Sequence, residues 1–193
     1  MKAIGIVGSP RVNGNTEIMT AHTLKAISEE GMETELIRLA GLHIQPCNAC
    51  MACKKEETCP IEDDLFPIYT RMKEADAIIL ASPVYFGSAT ALLKALMERT
   101  GYIANNNGRP FDRKVGGPLA VARHAGQNFT VAQITFWFQI MGCFTPGSTY
   151  WNVSFGREKG EVEKDEEGMK TAWNFGKNVA YLLQRFGEQA SIV

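Results

Sequence analysis

No run of apolar residues in the 193-residue sequence approaches the roughly 20 that a membrane helix needs, so a helical span is excluded and no membrane partner is expected. A surplus of basic charge is also missing. The chain has 20 Lys and Arg against 21 Asp and Glu, a formal net charge of −1, and this argues against a nucleic-acid partner. A secretory leader is absent from the reading as well. After Lys2 the apolar run Ala3–Val7 is too short for a signal core and ends in the turn Gly8-Ser9-Pro10, so a cytoplasmic protein is expected. There is no internal repeat, no low-complexity tract and no linker, and residues 1–193 are therefore expected to form a single domain.

What is present is a chain able to bury a sizeable core, with 45% hydrophobic and 21% charged residues. Strand-like and helix-like segments alternate. Lys2–Val7 and Glu33–Leu39 read as strands, with a helix near Thr16–Glu30 between them whose inner side is Ile18, Ala21, Leu24 and Ile27. A loop carrying cysteines leads to a helix at Asp64–Glu74 and then to Ala77–Val84, apolar on both faces as a central parallel strand should be. The spacing next predicts a helix over Thr90–Arg99 with Leu92, Leu93, Leu96 and Met97 inward, a polar loop Asn105–Arg113, and a strand Val115–Ala122. A helix Phe129–Met141, a fifth strand within Phe144–Phe155 and a closing helix Glu166–Phe186 follow. The charged run Arg157–Glu167 reads as a solvated loop. Such alternation favours an α/β fold with one five-stranded parallel sheet, and the flavodoxin-like order 2-1-3-4-5 fits five strands. Ligands of these sheets sit at the carboxyl ends of the strands, near the switch point between the first and third.

The unusual residues fall in those loops. After the first strand comes Gly8-Ser9-Pro10-Arg11-Val12-Asn13-Gly14-Asn15-Thr16. Backbone N–H groups can turn inward around an anion there, and the following helix adds its unpaired N-terminal donors. Arg11 can contribute a charge-assisted contact, and Ser9, Asn15 and Thr16 short hydrogen bonds. A terminal monophosphate such as that of FMN suits this loop. Neither Gly-Lys-Ser/Thr nor Gly-x-Gly-x-x-Gly is present, which disfavours a nucleoside triphosphate and a dinucleotide; an ordinary capped strand–helix turn is the remaining alternative. After the third strand, Pro83-Val84-Tyr85-Phe86-Gly87 sets two aromatics beside a glycine. This suits the close approach and apolar wall that a flat ring system needs, although aromatics covering a sheet edge would look the same.

Together these two loops resemble the NADPH-dependent FMN reductase superfamily, over roughly residues 1 to 130. The resemblance implies a flavodoxin-like fold, with Ser9, Arg11, Asn13, Asn15 and Thr16 on the FMN phosphate and Pro83, Val84, Tyr85, Phe86 and Gly87 along the isoalloxazine ring. It also implies that the loop Arg123–Gln127 closes the site, with Arg123 in contact.

Four of the five cysteines lie within thirteen residues, as Cys47-x2-Cys50-x2-Cys53-x5-Cys59-Pro60. The run is similar to the bacterial ferredoxin pattern Cys-x2-Cys-x2-Cys-x3-Cys-Pro, with a longer last spacer that lets Cys59 fold back onto the same cluster. Structural zinc is the main rival, but its four-cysteine sites usually pair two knuckles farther apart. A disulfide is improbable without secretion, and Cys143, standing alone, reads as a small buried hydrophobe. The cysteine loop, about residues 45–62 and inserted after the second strand, combined with the flavin loops, resembles the iron–sulfur flavoprotein branch of the superfamily. That resemblance implies Cys47, Cys50, Cys53 and Cys59 as ligands of one [4Fe-4S] cluster, and a homodimer or homotetramer. The expected activity is electron transfer between a one-electron carrier of ferredoxin type, the cluster, FMN and a two-electron acceptor such as a quinone, oxygen or peroxide. An NAD(P)H-dependent FMN or quinone reductase with a structural cysteine loop is the alternative. No protein acid or base is named. His124 is the one histidine placed for a flavin neighbourhood. Loops after the first three strands share one sheet edge, so the cluster and the flavin are expected on one side of the molecule.

Overall fold

The computed structural model describes the backbone of residues 1–190 and the side chains of residues 1–187. Strands β1 (Lys2–Val7), β2 (Glu33–Arg38), β3 (Ala77–Pro83), β4 (Val115–Ala122) and β5 (Val153–Phe155) form one parallel sheet in the order 2-1-3-4-5. Helices α1 (Asn15–Ser28), α2 (Leu65–Glu74), α3 (Ala91–Asn106), α4 (Gln127–Ile140) and α5 (Glu166–Ala190) connect and follow the strands. This is the flavodoxin-like architecture expected. None of the helices is long and apolar enough to cross a membrane, among the described residues.

The central strands are apolar throughout because both of their faces are covered. Alternation sends Ile4, Ile6, Ile78 and Leu80 to one face, against Leu65, Ile68 and Met72 of α2, Leu93 and Leu96 of α3, and Ile134 and Phe138 of α4. Ala3, Ala77, Ile79 and Leu119 go to the other, against Met19, Leu24 and Ile27 of α1 and Phe175, Val179 and Leu183 of α5. The pair Gly116-Gly117 explains how two aromatic rings reach the middle of β4. A Cβ on Gly116 would lie 2.5 Å from Phe138, and one on Gly117 would lie 2.6 Å from Phe175. Each glycine is thus the floor under a ring, one per face. Phe138→Ala is therefore expected to cost about 3–5 kcal/mol in urea unfolding. Lys170→Ala, on the exposed side of α5, should stay within about 0.5 kcal/mol of the parent.

Two sequence expectations change. Leu24 and Ile27 face inward as expected, but Ala21 faces solvent, and Met19, Thr20 and Thr23 complete the inner face of α1. The threonines can be buried because their hydroxyls donate back to the carbonyls of Thr16 and Met19, at 2.7 and 3.1 Å. Helix α3 does not stop at Arg99 but continues to Asn106, with Leu92 only half-buried. Its polar tail reads as loop in the sequence, yet Thr100, Ile103 and Ala104 still bury their faces.

Candidate functional site

The loops after β1 and β3 are tied together at the carboxyl edge of the sheet. The Gly8 N–H donates to the Ala81 carbonyl at 2.8 Å, and the Thr90 hydroxyl donates to the Gly8 carbonyl at 2.7 Å while Thr90 caps α3. Above this knot lies a cavity of about 260 Å³. Its β1 wall is Ser9, Arg11, Asn15 and Thr16, its β3 wall Pro83, Val84 and Tyr85, and its β4 wall Val121, Ala122 and Arg123. Gly156 and Arg157, after β5, complete it. Eight of the eleven flavin-site residues expected from the sequence therefore converge on one space.

Chemically the cavity has two ends. At one, the first N–H groups of α1 lack intrahelical partners and carry the positive end of the helix dipole. Arg11 stands beside them, and Ser9 Oγ accepts the Arg11 N–H at 3.1 Å, turning the loop back on itself. At the other end Pro83, Val84 and Val121 offer an apolar wall. Arg123 makes no hydrogen bond or ion pair among the described residues and leaves a free cation on the rim. A phosphate-bearing planar ligand fits this donor set, with its anion at α1 and its ring against the β3 loop.

Three expected residues sit elsewhere. Asn13, with φ of 52°, is held by its own N–H, which donates to Glu17 Oε2 at 2.8 Å, and its side chain does not line the cavity. Phe86 and Gly87 occupy the tip of a tight turn closed by reciprocal bonds between Tyr85 and Ser88, at 2.9 and 3.1 Å. Both have positive φ (51° and 77°), as twisted two-residue turns require, and Phe86 is thrown fully into solvent. Gly126 of the β4 loop backs this turn, since a Cβ there would lie 3.2 Å from Gly87 Cα.

Asn15 lines the cavity, but its amide is already engaged: it donates to the Glu158 carbonyl at 2.8 Å and accepts from Gly160 and Val162 at 2.9 and 3.3 Å. Its work is to pin the segment after β5, where a Cβ on Gly156 would strike it at 2.6 Å. Gly156 and Arg157 are the residues sequence reasoning missed. They lie in what reads as a solvated charged run, and only their position after a fifth carboxyl end could have signalled them. His124 does not enter the cavity but borders a more open adjoining recess with Arg123, Arg157 and Lys164. Beneath the phosphate end, burial would raise the Glu17 carboxyl, but the Arg38 hydrogen bond at 2.8 Å and the Asn13 N–H outweigh it and hold its pKa below the usual carboxylate value.

The cysteines occupy the connection between β2 and α2, as expected, and all are free thiols. Left-handed Ala49 and Met51 (φ 57° and 62°) coil the chain so that Cys47, Cys50 and Cys53 face one recess, and Cys59 enters from the returning limb. Ile61 and Ile103 give the recess an apolar lining, and Arg99 contributes the one charged side chain. Burial first, then the charges of the other three sulfurs, push the Cys53 thiol up. Among the described residues no group of three or more His, Cys, Asp or Glu side chains is placed to hold a metal ion. Cys143 is half-buried, donates to the Phe111 carbonyl at 3.3 Å, and has its thiol pushed up to about 12 chiefly by burial.

Protein groups anchor the loop. Asn107 Nδ2 donates to the Cys53 carbonyl at 2.9 Å, and Tyr69 donates to Glu57 at 2.7 Å. The N–H groups of His43 and Gln45 bind Asp64 and Asp63, at 2.7 and 2.9 Å. These ties draw it along α3. Arg99 lies eight residues past the first residue of α3, about 12 Å down the helix from the carboxyl edge. The recess and the cavity between the β1 and β3 loops share no residue. The common sheet edge expected for the two centres thus holds for where the cysteine loop begins, not for where its sulfurs lie.

A parallel 2-1-3-4-5 sheet with a cavity at its carboxyl ends is the mark of a flavodoxin-like fold. Residues 1–158 match the family of NADPH-dependent FMN reductases. The chain is 44% identical over 191 residues to an iron-sulfur flavoprotein of Methanocaldococcus jannaschii, covering 95% of this chain and 98% of that one. It is 36% identical over 187 residues to an iron-sulfur flavoprotein of Methanosarcina thermophila, covering 95% and 96%. In structure it is similar to the flavodoxin, WrbA-like protein of Agrobacterium tumefaciens, with TM-score 0.70, 14% identity and coverage of 95% and 98%. The chain belongs to the NADPH-dependent FMN reductase family, in its iron–sulfur flavoprotein branch, and is an FMN-dependent oxidoreductase.

Proposed function

We propose that this chain couples a small one-electron carrier of ferredoxin type to a two-electron acceptor such as a quinone, oxygen or peroxide, using FMN and one [4Fe-4S] cluster. When bound, the cluster supplies single electrons and the flavin one or two. The observation that carries the reading is the presence, on one chain, of two chemically distinct sites: an anion-binding cavity with an apolar wall and a separate recess lined by four thiols.

Arg11, Thr16 and Ser9 hold the FMN phosphate at the start of α1. Pro83, Val84 and Tyr85 flank the ring, Arg123 and Arg157 close the rim, and Asn15 locks the segment that carries Arg157. Phe86 and Gly87, at the turn tip, reach the ring only if the turn folds over it. Cys47, Cys50, Cys53 and Cys59 hold the cluster. Four cysteines on one loop supply one thiolate for each iron of a cubane, which takes each thiolate on a different iron. A second copy of the chain is expected to cover the exposed stripe Phe129, Phe136 and Ile140 of α4, beside Trp151, which supports a homodimer or homotetramer.

A second reading has one observation in its favour. The cysteine loop is fastened at several points by protein groups, as a purely structural loop in an NAD(P)H-dependent FMN or quinone reductase would be. Anaerobic purification, with a visible spectrum and assays of iron and flavin, separates the two. About four irons per chain are expected. Cys50→Ser, at the most exposed of the four cysteines, should lose most iron and stay folded because the sheet core lies elsewhere. Stoichiometric zinc with no iron would leave the structural reading standing.

A further inference from the structure

Arg99 is 2% exposed, in the middle of α3, and the sequence gives no sign of its role. Its guanidinium is the hub of the cysteine loop. Nη2 donates to Cys59 Sγ at 3.1 Å and to the Ile61 carbonyl at 3.3 Å; Nη1 donates to the Gln45 carbonyl at 3.1 Å and pairs with Asp63. Asp63 is equally buried and also accepts the N–H groups of Gln45 and Leu65, at 2.9 and 3.1 Å. Arg99 lines the recess, and its buried Nε has no hydrogen-bond partner.

A loop can be tied to a helix by a neutral amide, as Asn107 does at Cys53. Burying a full charge is costly unless it meets charge of the opposite sign. Asp63 provides one such partner. The fork of the guanidinium is turned so that its second branch meets a sulfur, and a thiolate ligand is the anionic group that this branch can satisfy. The arrangement is therefore polar in one direction, with the positive end toward the cysteines and the negative end behind it.

We propose that Arg99 is a positioning residue for the iron–sulfur centre, holding Cys59 as a ligand and stabilising the reduced form of the cluster, with Asp63 as a counterweight that limits the effect. This rests on the cluster reading above. Hydrogen bonds to the sulfurs and net local charge set the potentials of such clusters. A donated N–H and a nearby positive charge both favour the form carrying one more electron. Removing Arg99 must therefore move the potential down, and removing the charge of Asp63 must move it up.

The experiment compares anaerobically purified wild type, Arg99→Lys, Arg99→Gln and Asp63→Asn by iron content and by redox titration followed by electron paramagnetic resonance, with the flavin potential as internal reference. Expected are a cluster potential more negative in Arg99→Gln, more positive in Asp63→Asn and close to wild type in Arg99→Lys, with the flavin potential unmoved. Loss of a merely structural tie would not produce shifts of opposite sign. Full iron with both potentials unchanged, or both shifted the same way, overturns the assignment. Where Arg99→Gln fails to retain iron, Asp63→Asn decides: an upward shift supports the proposal, and no shift overturns it. Wild type without iron overturns the cluster reading itself, and this assignment with it.

Discussion

Protein carrying Arg11→Ala and Thr16→Ala together is expected to purify with little flavin and with its iron unchanged. The two side chains stand at the anion-binding end of the cavity, beside the unpaired N–H groups of α1. A charge-assisted hydrogen bond contributes about 1.5–3 kcal/mol and a neutral one about 1. Their joint loss should weaken FMN by about 3 kcal/mol, on the order of 10²-fold in Kd. The backbone donors remain, so weak binding at high added FMN is expected. The iron should stay because the cysteine recess shares no residue with this cavity. Fluorescence titration of apoprotein with FMN measures the change. A double variant that keeps full flavin after gel filtration would remove the phosphate role from this loop.

Cys53→Ser should lose nearly all reduction of its flavin by ferredoxin-type donors, while slow reduction by NAD(P)H or dithionite survives. Cys53 belongs to the tight coil Cys47–Cys53, and its carbonyl is held by Asn107 whatever its side chain, so the substitution alters one ligand and leaves the loop in place. A hydride donor meets the flavin directly and has no need of the loop. Anaerobic stopped-flow mixing with each donor distinguishes the routes. Equal rates for wild type and variant with ferredoxin would take the cysteine loop off the path.

Much of this arrangement is legible from residue order because it is set by local rules. The runs Lys2–Val7, Ala77–Pro83 and Val115–Ala122 are strands with both faces buried, and their apolar continuity says so. The cavity walls at Ser9–Thr16 and Pro83–Tyr85 announce themselves by glycine, proline and small polar residues at strand ends. What escapes is set by contacts between distant segments. Arg157 reads as one more charge in a solvated run until Asn15, more than a hundred residues away, folds that segment over the cavity. Arg99 reads as the polar end of a helix, and its burial depends on Asp63 and Cys59 arriving from another loop. Phe86 reads as a wall for a ring, yet the bonds between Tyr85 and Ser88 decide that its side chain points outward.

The fastening of the cysteine loop to α2 and α3 has a consequence for repair. Tyr69 holds Glu57, Asn107 holds Cys53 and Asp63 holds Gln45, so protein groups tie the segment that carries the four sulfurs to the helices beside it. If the proposed cluster were stripped by oxygen, these ties would be left in place. Rebuilding would then ask for fresh metal, sulfide and reduced thiols rather than a new round of folding, and a molecule inactivated in this way would be worth salvaging.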